Sequence, residues 1–429
     1  MCTVRPFSAI RYAAPANGDI SARLAPPYDV LDQRDKDALL GRDSRNFVAI
    51  DLPHVPPKSA GPAAAYAGAR STLEAWLADG TFVRDTTPAI YVYEQRYEID
   101  GRRYSRRKFL ARLRLEAFGK GSVFPHEQTF GGPKEDRLLL TQATECNLSP
   151  IFGLYEDSSN AVAARLRTAV GSDAPLLSGT LDGVENRIWA VTDRAVIDDV
   201  QRAMSDRAVF IADGHHRYGT GLMYREALAA KRGALPEDHP ANYVLCAFCA
   251  MEDEGLLILP THRVLPAVAL DGAFWSSDPE LVSTALRVDT PAAALSALPG
   301  HGAQAFAMFS AVDRSYHVLK PRRADLLRGI APERSAGWHA LALAVLHAYA
   351  IDRAVTPRAC GGKAPEIHYV KNADAAVSEA RETRGCVFLM QPNTMAELRA
   401  VCQAGDLMPQ KSTFFFPKVA SGLVIHPLS

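Results

Sequence analysis

Hydrophobic and polar positions change period repeatedly along the chain. Val209-Phe210-Ile211-Ala212 is a continuous apolar run that stops at Asp213-Gly214. Beyond it Gly221, Leu222, Tyr224 and Leu228 recur at helical spacing, so the stretch reads as strand, tight turn, helix. Ile90 to Tyr97 alternates with period two, Asp100-Gly101 marks a hairpin turn, and Arg106 to Leu115 returns with alternation. Further strands are expected at Phe7–Tyr12, Phe47–Leu52, Leu148–Tyr155, Arg187–Val191, Val244–Met251 and Leu256–Leu259. Later ones are expected at Ala305–Phe309, Tyr316–Leu319, Ile367–Val370 and Val387–Met390. Helices are expected at Asp32–Leu40, Ala63–Ala78, Asn160–Ala169, Arg194–Met204, Trp338–Tyr349, Ala373–Arg381 and Met395–Gln403. Helices between strands predict an α/β or α+β protein, with mixed sheets and flanking helices.

Composition narrows the class. With 429 residues, 48% of them hydrophobic, the chain can bury a large core and form two or three domains. Lys plus Arg equals Asp plus Glu at 48 each, so the chain lacks the basic field of a dedicated nucleic-acid binder. The hairpin cations Arg102, Arg103, Arg106, Arg107 and Lys108 are expected on a wet face. Seven scattered Cys and no apolar run of membrane length predict a reduced, cytoplasmic protein. Cys246 and Cys249 form C-x-x-C on a predicted strand, where they would point to opposite faces, so zinc is not expected.

Candidate chemistry gathers at three places. In the first, Asp213, His215, His216 and Arg217 crowd around Gly214 at the strand-to-helix junction. The first amides of a helix lack internal partners and attract anions, and arginine grips phosphate with two prongs. Asp213 is suited to hold a metal or take a proton. In the second, His126-Glu127-Gln128-Thr129 precedes Gly131-Gly132-Pro133 and then Lys134-Glu135-Asp136-Arg137. On a helix Lys134 and Arg137 share a face, and Glu127 is the expected base. In the third, Lys411 with Ser412 and Thr413 precedes Phe414-Phe415-Phe416 and suits a phosphate, although no upstream glycines make it a P-loop. Tyr28 and Asp29 after Pro26-Pro27, and Thr261, His262 and Arg263 at the exit of an apolar strand, are expected substrate contacts together with His126 and Thr129.

Asp213-Gly214-His215-His216-Arg217 resembles the phosphate-binding motif of the ParB and sulfiredoxin-like fold, and most nearly that of its free-serine kinases. Nearly the whole chain resembles a bacterial and archaeal family catalogued as domain of unknown function number ten-fifteen. The residues that carry this are Ala25-Pro26-Pro27-Tyr28-Asp29-Val30, His126 to Thr129, Lys134 to Arg137, Pro260-Thr261-His262-Arg263 and Met408 to Gly422. The kinase resemblance implies that Gly214, His215, His216 and Arg217 bind nucleotide phosphates, with Asp213 beside Mg²⁺ or the transferred phosphate. It makes Asp213 and His216 catalytic alongside Glu127, whose role comes from its position and not from the motif. Lys134, Arg137 and Lys411 would neutralise charge.

The resulting expectation is a ParB/sulfiredoxin-like catalytic region over residues 1–263, with an inserted hairpin and helices. A C-terminal α/β module over 264–429 would send its last segment, 408–422, back to the site. The function expected is phosphoryl transfer from ATP or ADP, with Mg²⁺, to the hydroxyl of a small metabolite such as free serine. A phosphatase of a phosphorylated metabolite and a non-enzymatic ParB-like nucleotide or DNA module are the alternatives. Whether the chain forms a homodimer stays open.

Overall fold

The computed structural model describes residues 1–57, 59–127 and 131–429, in two compact units. The first unit is Met1–Leu257 together with Pro417–Ser429, and the second is Ile258–Phe416. Both mix helices with sheets.

The sheet of the first unit contains β1 (Val4–Arg5), β2 (Ile90–Ile99), β3 (Arg102–Arg114), β4 (Val123–Phe124), β5 (Ile151–Tyr155), β6 (Leu177–Leu181), β7 (Val184–Val191), β8 (Val209–Asp213) and β9 (Tyr243–Ala250). Their order is β4-β8-β5-β9-β3-β2-β7-β6, and β1 also pairs with β3. Only β8 with β4 and β9 with β5 run parallel in this sheet. The β2–β3 hairpin turns on Asp100 and Gly101, both at positive φ, which matches the right-handed twist of its strands. The helices are α1 (Gln33–Arg42), α2 (Ala63–Ala78), α3 (Gly131–Thr144), α4 (Ala161–Val170), α5 (Arg194–Ser205) and α6 (His215–Arg232).

One face of the sheet carries the core. Val92, Phe109, Ile151, Ile211 and Phe248 pack there against Leu166 of α4 and Val196, Ile197, Val200 and Met204 of α5. The Asp193 side chain caps α5 by accepting from the Val196 amide, so its apolar stripe starts in register. The other face carries Tyr93, Gln95, Arg106 and Lys108 and is covered by Pro417–Gly422. The expected wet face of the hairpin holds for Arg102 and Arg103, which are exposed, and in part for Arg107, but not for Arg106 and Lys108. Arg106 is fully buried and Lys108 is 3% exposed. Arg106 donates to the Gln95 side-chain oxygen and the Pro417 carbonyl. Lys108 donates to the same Gln95 oxygen and sits 4.0 Å over the Tyr93 ring. Alternation tells the two faces apart, but not that a distant segment roofs one of them.

Phe47–Leu52 is not the expected strand. Buried Asn46 accepts from the Val48 amide and turns Val48–Asp51 into a short helix, so a local cap overrides β-branched propensity. Cys246 and Cys249 do lie on one strand, β9, and both are buried thiols.

The second unit has an antiparallel sheet of β10 (His262–Leu265), β11 (Leu281–Leu286), β12 (Phe306–Ser310), β13 (Tyr316–Pro321), β14 (His368–Val370) and β15 (Cys386–Leu389). Their order is β11-β13-β12-β15-β10-β14. Helix α7 (Ala373–Glu382) buries Ala376, Val377 and Ala380 against it. The helix expected over Trp338–Tyr349 is interrupted where Leu341 turns extended, and it resumes into a π-helix over Leu346–Val355. No helix among the described residues is long and apolar enough to cross a membrane.

Candidate functional site

Strand β8 lies between β4 and β5, and its register with β5 slips between Ile211 and Asp213. Gly153 makes the close strand approach possible, because a Cβ there would lie 2.8 Å from Val209 and 2.9 Å from the Cys246 sulfur. The bulge leaves Ala212 without a partner and sets Asp213 opposite Phe152, the last pair of the ladder. Gly214 follows with φ +89°, where a Cβ would come within 3.1 Å of Ile151 and the Arg217 guanidinium. The chain then enters the 18-residue helix α6, whose N-terminus has no side-chain cap.

Asp213 stands between two cations. Lys418 Nζ is 2.7 Å from Asp213 Oδ2, and Arg217 Nη2 is 3.6 Å from Oδ1. Burial opposes the carboxylate charge, but Lys418 and Arg217 outweigh it and hold Asp213 below the usual carboxylate range. Arg217 also donates to the Pro150 carbonyl.

The two buried histidines fix each other. His126 Nδ1 lies 2.6 Å from the Ile211 carbonyl, so it carries the proton and leaves Nε2 with a lone pair. The His126 amide donates to His215 Nε2 at 3.2 Å, which puts the proton of His215 on Nδ1, facing Glu127 Oε2 at 3.9 Å. Their rings meet edge-on at 4.5 Å. Burial lowers both, His126 to about 4 and His215 well below its ordinary value, so both are neutral at pH 7. His126, Glu127 and His215 offer ligand atoms within 4.8 Å of one another. With its proton on Nδ1 and its Nε2 accepting from the His126 amide, His215 has no lone pair left for a metal, and the remaining His126 Nε2 and Glu127 do not make the oxygen set that Mg²⁺ takes. For Mg²⁺ the Asp213 carboxylate fits, since that ion binds through one or two carboxylates with water and phosphate completing its shell.

The expected cationic helix face divides. The Lys134 side chain lies against Gly219 of α6, where a Cβ would come within 3.1 Å of it. Arg137 takes different partners, although it too lies beside α6, lining a cleft with Arg217 and Thr220. It donates to the Asp51 carbonyl at 2.7 Å and to Asp136 Oδ2 at 2.9 Å, and it stacks 3.9 Å over the Tyr28 ring. Asp136 in turn accepts from Tyr66 at 2.8 Å and bonds His54 at 2.7 Å. Burial pushes the Tyr28 phenol up to about 12. A cavity of about 30 Å³, room for a water, is lined by Tyr28, Asp51, Arg137, Ser149, Arg217 and Thr220. Arg137 and Arg217 therefore share one small cleft, whose wall also includes Leu140, Leu148 and Val244. Asp29 is half-buried one residue beyond Tyr28, and His216 is half-buried in the first turn of α6.

Thr261, His262 and Arg263 lie in the second unit, as do Lys411, Ser412 and Thr413. His262 Nδ1 accepts from the Met390 amide, and Arg263 donates to the Thr261, Gln410 and Lys411 carbonyls. Lys411 is exposed at φ 53°, Ser412 is buried and Thr413 half-buried. Thr129 falls outside the described residues.

Sequence reasoning missed Lys418. It also missed Asp51 and Ser149, whose hydroxyl donates to Asp51 at 2.6 Å and meets Ser421 at 3.0 Å. The segment from Met408 to Gly422 is legible as a cluster, but Lys411 beside two hydroxyls is the more obvious cation in it. Lys418 belongs to Pro417–Gly422, which is sewn to the first unit. The Lys418 carbonyl accepts from Gln95, the Ala420 amide donates to Tyr93, and Ser421 exchanges backbone bonds with Ala25.

A family model described as "Protein of unknown function (DUF1015)" matches residues 4–338. None of the curated proteins compared matches the chain. Among solved structures the chain is similar to a free serine kinase in complex with AMP, at 13% identity over 72% of this chain and 98% of that one, with a TM-score of 0.33. It is similar to a conserved hypothetical protein from Pyrococcus furiosus at 14% identity, over 71% and 91% of the two chains, with a TM-score of 0.33. It is also similar to a C-terminally truncated SbnI from Staphylococcus aureus at 12% identity, over 74% and 87%, with a TM-score of 0.35.

Proposed function

The chain belongs to the DUF1015 family of proteins of unknown function, and from that premise we propose that it is a nucleotide-dependent kinase of a small hydroxyl metabolite, with free serine or a serine-like amino acid as acceptor. One observation carries the reading. An uncapped helix N-terminus, an ionised aspartate and two cations meet at the exit of β8. Transfer of a phosphoryl group needs little covalent help from a protein. It needs positive charge on the phosphate oxygens, an acid nearby and placement in line.

The α6 amides after Gly214, with Arg217 and Lys418, would bind the phosphates of ATP or ADP. His215 and His216 border the same turn. Asp213 would hold Mg²⁺, which supplies charge neutralisation when bound. Glu127 would accept the proton of the acceptor hydroxyl as the new O–P bond forms and the terminal anhydride bond breaks. His215 Nδ1–H, turned toward Glu127, would steady that carboxylate. Lys134, on the α3 flank of α6, adds a further cation. Arg137, Tyr28 and Ser149 line the neighbouring small cleft, which has room for a water and not for the acceptor, and would support Arg217 from behind.

The test is direct. Purified protein is incubated with ATP or ADP, Mg²⁺ and L-serine, and phosphoserine is measured. Serine-dependent product is expected, with loss in Arg217→Ala. Nucleotide that neither binds nor turns over, or phosphate released at the same rate without any acceptor, overturns the proposal.

A further inference from the structure

On the core face of the sheet, away from Asp213, a cavity of about 260 Å³ opens between the strands and α4. Its wall is apolar: Val92, Phe109, Tyr155, Leu166, Val170 and Trp189. Trp189 is held in place by its indole N–H, which donates to the Asp173 carbonyl at 2.9 Å. Three guanidiniums, of Arg96, Arg107 and Arg167, stand at its margin. Glu94, with a side chain only 6% exposed, fixes two of them, Arg96 at 2.8 Å and Arg107 at 3.4 Å. Among the described residues Glu94 is the one carboxylate in a lining that also holds Lys108, and its two ion pairs leave Arg167 without an acid from the cavity wall.

Arg107 and Arg167 also line an adjoining polar cleft of about 440 Å³. The chemistry therefore changes from hydrocarbon to water at those two side chains. The acids of the polar cleft are mostly engaged by backbone amides. Asp157 accepts from Ala161 and Val162, Glu252 from Asp157, and Asp253 from Arg107 and Gly255. Those bonds orient the acids but leave them charged, and with Glu254 they balance Arg102, Arg103, Arg107 and Arg167 in that cleft, so the cationic excess lies on the apolar side.

Apolar wall left open to water is unfavourable, and a cavity lined this way with a few polar groups at one end is the usual form of a small-molecule site. We propose that this cavity binds a small amphipathic anion, a hydrocarbon body lodged among Phe109, Tyr155, Leu166 and Trp189 with its carboxylate between Arg107 and Arg167. The site is separate from the β8 exit and stands whether or not the chain is a kinase.

The full-length protein is titrated calorimetrically with octanoate, octanol and octylamine. Octanoate binds more tightly than octylamine by at least about tenfold, the sign that the margin is cationic. Arg167→Glu, an exposed position, weakens octanoate by about tenfold or more and leaves octanol within about twofold. Val170→Trp, which fills the chamber, removes both. No heat with octanoate, equal binding of octylamine, or octanoate affinity unchanged in Arg167→Glu overturns the proposal.

Discussion

Two apolar strands end in similar residues. Phe210-Ile211-Ala212 runs into Asp213-Gly214-His215-His216-Arg217, and Ile258-Leu259 runs into Pro260-Thr261-His262-Arg263. Their arginines do different work. Arg217 gives one nitrogen to the Pro150 carbonyl, sits 3.6 Å from Asp213 and lines a cleft. Arg263 is 1% exposed and commits its donors to three carbonyls and to His347. The difference comes from the element that each strand leads into. Gly214 turns the chain into a long helix whose first amides have no internal partners. Pro260 leads into β10, which pairs with β14 on one side and β15 on the other. Its amides are already committed to a ladder. Polar residues at a strand exit stand beside uncommitted amides when a helix starts there, and become a structural clamp when another strand does.

The sharpest way to break that contrast is chemical. Asp213→Asn should lower phosphoryl transfer by about a thousandfold, roughly 4 kcal/mol of barrier, while His262→Asn leaves it within about twofold. Equal losses in phosphoserine formation would erase the distinction. Next comes stability. Arg263→Met should cost about 3 kcal/mol in denaturant unfolding, because several buried carbonyls lose their donor, with nucleotide affinity held within about twofold. Arg217→Met should do the reverse: about 1 kcal/mol of stability, and a dissociation constant raised about tenfold or more by calorimetry.

Acid should affect the two exits alike. His126 and His262 are both lowered to about 4 by burial, so folding favours their neutral forms. The unfolded chain takes up protons first as pH falls. Stability from each is full above the ordinary histidine value and is lost between about pH 6.5 and 4, on the order of 3 kcal/mol apiece. Urea unfolding across that window should flatten in His126→Asn and in His262→Asn by similar amounts. Asp213, lowered by its cations, acts at lower pH: its contribution is lost only below the ordinary carboxyl range. The smallest effect belongs to Gly219→Ala. Gained helix propensity offsets the displacement of Lys134, leaving stability within about 1 kcal/mol, but nucleotide binding should weaken severalfold.

Much of this was legible in the residues. The strand, turn and helix around Gly214, the Asp100-Gly101 hairpin, and the long helices at Ala63–Ala78 and Arg194–Ser205 follow from period and turn chemistry. One error is local, where Asn46 turns Phe47–Leu52 away from a strand, and others come from contact made far away in sequence. Arg106 and Lys108 look like surface cations until Pro417 and Lys418 roof them. Lys418 itself carries no local signal that its ammonium meets Asp213, 205 residues earlier. Arg137 was legible as a cation beside Lys134. That Asp136 and Asp51 would pair with it was not.

The division of the chain sets an order of events during synthesis. Residues 258–416 are made between the two pieces of the first unit. Lys418 therefore emerges from the ribosome after that whole stretch, roughly ten to thirty seconds behind Leu257 at ordinary translation rates. Until then the nascent chain holds Asp213 without its ammonium partner and the Arg106–Lys108 face without its roof. The corner around Asp213 is thereby closed only after residues 258–416 have been made.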